Sequence, residues 1–209
     1  MKSGFNFFDI IFCINLDSRA DRWEQCLKEF DKVGIKGKVI RIPGILFPNN
    51  PCHGNHLAHA KCFEIAKRYD TWNCLIFEDD VEFFDNAVDT LTKAAGELNY
   101  DWDMLYLGAN VISPAEQVNT HLAKLTGAFA THAYAVKYNL FTKLMEINLD
   151  PNIVHNDEEY SSKIVPNYNS YVTLPLVAGQ RDGFSDIMHR EMSSNQMFKE
   201  RLEGSLKRL

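Results

Sequence analysis

The stretch that most constrains this chain is Cys74-Leu75-Ile76-Phe77-Glu78-Asp79-Asp80-Val81-Glu82-Phe83-Phe84, in which an apolar run meets three consecutive carboxylates. A short continuous apolar run predicts a strand buried on both faces, as inside a parallel sheet. In open α/β sheets, ligands gather at the carboxyl ends of such strands, so the acids stand where a ligand would be met. Between Asp70 and Thr92 there are seven acidic residues and no Lys or Arg. Adjacent carboxylates at the edge of a core repel one another unless protonated, hydrated or bound to a cation. An all-oxygen ligand set suits Mg²⁺ or Mn²⁺. If the strand persists through the acids, alternation puts Glu78 and Asp80 on one face and turns Asp79 away. The competing reading is an acidic strand end facing solvent, and the residues alone leave both open.

With 209 residues, 45% of them hydrophobic and 12% aromatic, the chain suffices for one well-filled domain spanning residues 1–209. A net charge of −6 argues against a nucleic-acid surface. The cysteines at 13, 26, 52, 62 and 74 are odd in number and scattered through predicted elements, which suits reduced thiols in a cytoplasmic setting. The Phe-rich start is broken by Asn6, Asp9 and Asn15 and lacks the features of a signal peptide. No run approaches the length of a membrane span.

In chain order, residues 9–16 form a second buried-strand candidate, and Asp17-Ser18-Arg19-Ala20-Asp21-Arg22 a polar turn. Trp23, Leu27, Phe30 and Val33 then carry helical spacing up to Gly34, and residues 38–42 make a short strand. This β-loop-α-β order predicts a right-handed parallel unit. Arg19 and Arg22, just beyond the first strand, could meet a phosphate or a base edge; the bland alternative is two solvated arginines at a helix start. Residues 43–55 are rich in Pro, Gly and Asn and predict a loop. Asn55 is the expected cap of a helix over 56–69 with Ala58, Cys62, Ile65 and Tyr69 inward. Cys52, His53, His56, His59 and Cys62 resemble a zinc cluster, but His56 and Cys62 lie roughly 120° apart around a helix axis and the spacing is unlike paired zinc ligands, so no zinc is expected.

Beyond the acids, 87–98 predicts a helix with Val88, Leu91 and Ala95 inward, 103–108 a strand, 128–136 a strand containing Thr131 and His132, and 138–147 a helix. Residues 112–125 carry no clear pattern. Asn156-Asp157-Glu158-Glu159 is a second acidic run. Residues 171–177 predict a late strand, which Pro175 demotes to an edge, and 180–190 a polar loop. An amphipathic helix over 193–209 carries Met197, Leu202, Leu206 and Leu209 and is expected to pack on the domain; such a helix can also rest peripherally on a lipid surface.

The ordered set resembles glycosyltransferase family 25, which includes bacterial lipooligosaccharide galactosyltransferases and the catalytic domains of collagen galactosyltransferases. The resembling pieces are Ile14-Asn15-Leu16-Asp17 with Arg19 and Asp21-Arg22, Cys52 and His56, Phe77-Glu78-Asp79-Asp80-Val81, Tyr106-Leu107-Gly108, Ala133-Tyr134-Ala135 and Ser185-Asp186-Ile187. They cover roughly residues 10–190. The sequence departs from the family pattern at Pro51 and Asn55, where Gly and Ser are usual, and the match is poor over 109–127 and 150–170. The resemblance implies a GT-A type, Rossmann-like α/β fold with a mostly parallel central sheet flanked by helices. It also implies a UDP-sugar donor, usually UDP-galactose or UDP-glucose, an inverting mechanism and a glycan or hydroxylysine-type acceptor. Glu78-Asp79-Asp80 then corresponds to the DxD-like motif, with Asp80 as Mn²⁺ or Mg²⁺ ligand and Glu78 beside it or on the ribose. His189 is the late histidine that could join the metal. Asn15, Leu16, Arg19, Arg22, His56, Glu78, Asp79, Ser185 and Asp186 are the implied donor-binding positions. The base that takes the acceptor proton is sought among Asp157, Glu158 and Glu159. A nucleotidyltransferase would want a Gly-rich basic loop where Asp17-Ser18-Arg19 stands, and a binding module without turnover is the other alternative.

Overall fold

A computed structural model describes residues 4–47, 50–98, 100–185 and 190–207. In order the elements are β1 (Ile10–Asn15), α1 (Ala20–Lys32), β2 (Val39–Pro43), α2 (Pro51–Arg68), β3 (Asn73–Glu78), β4 (Val81–Phe83) and α3 (Ala87–Glu97). Then come β5 (Met104–Tyr106), β6 (Asn110–Val111), β7 (Ala115–Asn119), β8 (Leu122–Lys124), β9 (Ala128–Phe129), β10 (Ala133–Lys137), α4 (Tyr138–Leu149) and α5 (Asn156–Glu159). The chain continues with β11 (Ser170–Thr173), β12 (Ala178–Gln180), β13 (Gly183–Ser185), β14 (Arg190–Met192), α6 (Asn195–Ser205) and β15 (Leu206–Lys207).

Among the described residues the main sheet runs β15-β7-β8-β11-β5-β10-β3-β1-β2. The β1–β2 and β1–β3 pairs are parallel, as the β-loop-α-β order predicts. The centre is mixed, because β10 lies antiparallel between β3 and β5 before the parallel β5–β11 pair. Alternate residues of each central strand feed opposite layers. Phe12, Cys74 and Ile76 pack with Cys62 and Phe63 of α2 and Phe141 of α4. Cys13, Leu75 and Phe77 pack with Phe30 of α1 and Leu91 of α3. With helices on both faces, the strands must be apolar throughout, which is why they appear in the sequence as continuous runs.

Several local expectations are corrected. The helix expected to begin at 56 begins at Pro51, where a proline's missing N–H costs nothing, and Asn50 caps it, accepting from the His53 amide at 3.1 Å. Asn55 is therefore a residue of the helix, not its cap. Tyr69 lies 69% exposed, and His59, Phe63 and Ala66 complete the buried stripe. In α3, Val88 is 45% exposed while Ala87, Thr90 and Ala94 are buried. The strand expected over 128–136 is two, β9 and β10, parted at Ala130. The late strand ends at Thr173, before Pro175, and lies between β5 and β8 instead of at an edge. Residues 112–125 contain β7 and β8, and the expected 180–190 loop contains β13 and opens β14. The tail helix is shorter than 193–209, giving way to β15; its Phe198 and Leu202 are buried.

Candidate active site

The carboxyl ends of β1 and β3 open into a cleft of about 630 Å³. Four segments build it: the turn after β1, the Gly44–Phe47 lip with the start of α2, the Glu78-Asp79-Asp80 triplet, and a far wall of Phe129-Ala130-Thr131, His155-Asn156-Asp157, Gln180-Arg181 and α6. Two glycines permit the close packing. A Cβ on Gly54 would sit 2.0 Å from the Ile45 carbonyl, so only glycine lets the lip lie on α2. A Cβ on Gly179 would sit 2.0 Å from Asn195 Oδ1, the atom that accepts from the Gln180 amide and docks the start of α6 on β12.

The three acids meet three environments. β3 ends at Glu78, so the alternation of its side chains assigns Glu78 to the α2 layer and Asp79 to the α1 layer. Glu78 Oε1 accepts from Thr131 Oγ1 at 2.8 Å, His59 Nε2 at 3.0 Å and Asn55 Nδ2 at 3.3 Å. Burial works against its charge, yet the His59 and Thr131 donors prevail and hold its pKa at about 2. Asp79 accepts from Arg22 at 2.8 Å on one oxygen and Asn15 Nδ2 at 2.7 Å on the other. Burial opposes the Arg22 charge, but Asp79 and then Asp80 hold its pKa above the usual value.

Asp80 lies in the turn beyond β3, so the strand does not persist to carry it. Its Oδ2 accepts from Gln180 Nε2 at 3.3 Å, and its Oδ1 is sealed from solvent with no hydrogen-bond partner. Burial first, then the neighbouring Glu78 and Asp79 charges, push its pKa up to about 7 against the pull of Arg22 and Arg181. Arg181 also clamps the turn by its backbone: its amide donates to the Asp80 carbonyl at 2.6 Å and its guanidinium to the Val81 carbonyl at 3.1 Å.

Of the other expected positions, Asn15 braces the turn after β1. It accepts from Arg41 Nε at 2.9 Å and donates to the Arg19 carbonyl at 3.0 Å, besides its bond to Asp79. Leu16 and Arg19 line the cleft, with Arg19 paired to both Asp21 oxygens at 3.1 Å. His56 lines it too and accepts from the Asn156 amide at 3.1 Å; burial drives its pKa down to about 4. Ser185 closes β13, and Asp186 and His189 lie outside the described residues.

In the second acidic run, Asp157 lines the cleft, whereas Glu158 is exposed away from it and Glu159 pairs with Lys163. Asp157 Oδ2 accepts from the Ala130 amide at 3.1 Å and Oδ1 from the Glu158 amide at 3.0 Å. Ala130 has φ +76°, a region that costs a non-glycine residue roughly 1 kcal/mol. That twist parts β9 from β10, and the next residue, Thr131, meets Glu78.

The Cys/His-rich stretch is used for packing and hydrogen bonding. Cys62 is in the core, and His59 joins Tyr134 and Glu78 through its two nitrogens. Among the described residues no three His, Cys, Asp or Glu side chains gather as a metal-holding group. No helix among them is long and apolar enough to cross a membrane.

Nothing in the sequence near the acids marks Thr131, His59, Gln180 or Arg181 as their partners. The available signal was indirect: a buried acidic triplet needs cations, and there is no Lys or Arg between Asp70 and Thr92.

No family model matches the chain. The procollagen lysyl hydroxylase and glycosyltransferase of Acanthamoeba polyphaga mimivirus is 26% identical over 185 residues, 70% of this chain and 20% of that protein. The probable inactive glycosyltransferase 25 family member 3 of Bos taurus is 26% identical over 170 residues, 66% of this chain and 29% of that protein. Procollagen galactosyltransferase 1 of Danio rerio is 26% identical over 132 residues, 48% and 21% of the two chains. The chain thus spans well under a third of the length of these relatives. A crystal structure of A197 from STIV shares the fold with a TM-score of 0.50 at 14% identity, over 89% of this chain and 93% of that one. In sequence this chain is a distant relative of glycosyltransferase family 25.

Proposed function

We propose that the cleft binds UDP-galactose or UDP-glucose with a divalent cation and transfers the hexose, with inversion, to a hydroxyl of a glycan or hydroxylysine-type acceptor. The observation that carries the reading is Asp80 Oδ1, a buried carboxylate oxygen without a partner at the floor of a cleft. An orphaned buried carboxylate oxygen is costly unless a ligand meets it. The chemistry fits Mn²⁺ or Mg²⁺: hard oxygens, with Asp80 as the principal ligand. Glu78 would hold it through Oε2, since Oε1 is taken by three donors. When bound, the cation would neutralise the departing diphosphate as a Lewis acid.

The chain's own residues divide the remaining work. Arg22 and Arg181 brace the acidic turn, and Arg19 and Arg22 supply positive charge on the side of the cleft after β1. Asp157 lines the cleft from a different segment than the triplet, as a single in-line displacement requires of a base that faces the acceptor. Each of its oxygens is oriented by one backbone amide and keeps lone-pair capacity for the acceptor's proton.

A second reading, a nucleotide-sugar-binding module without turnover, is supported by the names of relatives such as the inactive glycosyltransferase 25 family member 3 of Homo sapiens, 27% identical over 172 residues. Incubation with UDP-, GDP- and CMP-sugars and Mn²⁺, scoring nucleotide release with and without acceptors, separates the readings. UDP release from a UDP-hexose supports the transferase, with product NMR reporting the anomer. Mn²⁺-dependent UDP binding without release supports the module, and no binding of any nucleotide sugar sinks both.

A further inference from the structure

Beneath the cleft, buried polar side chains lie between Glu78, itself partly exposed, and His56. Glu78 Oε1 meets His59 Nε2 at 3.0 Å, and His59 Nδ1 meets the Tyr134 hydroxyl at 2.9 Å. The Tyr134 ring meets the Tyr160 ring edge to face, with centroids 6.0 Å apart. Tyr160 accepts from Asn148 Nδ2, and Asn148 Oδ1 accepts from Asn156 Nδ2 at 3.0 Å. The Asn156 backbone N–H donates to His56 Nε2 at 3.1 Å.

The direction of these bonds follows from donor arithmetic. An ionised carboxylate only accepts, so His59 carries hydrogen on Nε2. With Nδ1 of the uncharged ring accepting, Tyr134 donates to it, and beyond the ring contact Asn148 donates to Tyr160. Hydrogen bonds aligned head to tail polarise one another, and those of Tyr134 and His59 end on the charge of Glu78. On the other side, His56 Nε2 accepts, so the hydrogen of the uncharged ring sits on Nδ1, a buried atom with no protein partner.

We propose that these two sets of buried hydrogen bonds, one on Glu78 and one on His56, position both side chains from beneath the cleft. Tyr134 and His59 are positioning residues for Glu78, Asn156 is the positioning residue for His56 through its backbone N–H, and His56 Nδ1–H offers a hydrogen bond to an oxygen of the bound ligand. What binds there rests on the donor-sugar reading; the two tautomers are a property of the chain alone.

Long-range ¹⁵N–¹H NMR of the histidine rings, in wild type and Tyr134→Phe, tests both sets, with calorimetry of UDP and Mn²⁺ alongside. The expected result is Nε2–H for His59 and Nδ1–H for His56. In Tyr134→Phe the His59 Nδ1 signal moves, and UDP affinity falls roughly 3- to 10-fold, the size of one hydrogen bond. Should Tyr134→Phe not fold, His59→Gln, which can still donate to Glu78, is expected to retain more UDP affinity than His59→Leu. An Nδ1–H tautomer at His59, or variants that lower Tm while leaving both tautomer and affinity unmoved, would overturn the proposal. If the wild type binds no UDP, the donor reading fails while the tautomers still decide the two sets.

Discussion

The molecule has two acidic runs, 78–80 and 157–159, and they are built on opposite principles. The first sits at a strand end between two buried layers, so each acid is assigned a different partner set: three donors for Glu78, an arginine and an asparagine for Asp79, one long bond for Asp80. The second starts a short surface helix. There Asp157 is oriented by two backbone amides, Glu158 is exposed, and Glu159 pairs with Lys163 in the next turn. Like residues in a row become unlike groups when burial forces each to find its own neighbours, whereas on the surface helix local backbone amides, water and a lysine one turn on suffice.

The sharpest way to break that comparison is at the second run. Asp157→Asn is expected to cut UDP-hexose turnover by about 10²–10⁴-fold, the usual worth of a general base, with UDP and Mn²⁺ affinity near wild type. Glu158→Gln should change turnover by less than about 2-fold. Steady-state kinetics on both variants checks this; equal losses would erase the distinction between the facing and the exposed acid.

At the first run, Asp80→Asn is expected to weaken Mn²⁺-dependent UDP binding by roughly 100-fold in calorimetry. The same change removes a buried charge with an unpartnered oxygen, so the metal-free protein should melt roughly 2–8 °C higher at neutral pH. A lower Tm would show that Asp80 stabilises the fold.

Asp79→Ala should behave in the opposite way. Withdrawing the carboxylate that Arg22 and Asn15 share at 2.8 and 2.7 Å is expected to cost about 2–4 kcal/mol, read as a fall in the urea midpoint with unchanged m-value. An unchanged midpoint would place the triplet's stabilising acid elsewhere.

The smallest effect expected is in the pH dependence. Burial holds His56 and His132 at about 4, below the ordinary histidine value. Between roughly pH 6.5 and 4 the unfolded chain binds protons there that the folded chain does not, so stability is present above that window and falls as pH drops through it. His132, stacked on Phe198 at 5.6 Å, lies on the α6 side of the cleft. His132→Phe should therefore flatten the loss of Tm over this range by a few °C. An unaltered slope would mean that the carboxylates alone govern acid unfolding.

Much of the fold was legible in the sequence because burial on two faces leaves unbroken apolar runs. Residues 9–16 and 74–77 announced β1 and β3, and the β-loop-α-β order predicted their parallel neighbours. Errors fell where one local signal competed with another. Proline and asparagine at 48–55 suggested a loop, but Pro51 is tolerated at a helix start and Asn50 caps it. Pro175 suggested an edge strand, although β11 ends before it. Thr131 and His132 looked like strand residues because nothing in the sequence around Ala130 signals a positive φ.

By itself the sequence determined that three acids would meet a core edge with no cation nearby along the chain, because charge and hydropathy are properties of the string. It determined as well that Asp157 and its neighbours formed a separate group. Which acid is saturated, which is paired and which is left wanting was decided only in three dimensions. Their donors come from Asn55 and His59 on α2, Arg22 on α1, Thr131 before β10, and Gln180 on β12. Hydrogen bonds and ion pairs act over about 3 Å whatever the separation in sequence. The contacts that tune this cleft therefore exist only once the sheet has brought those segments together.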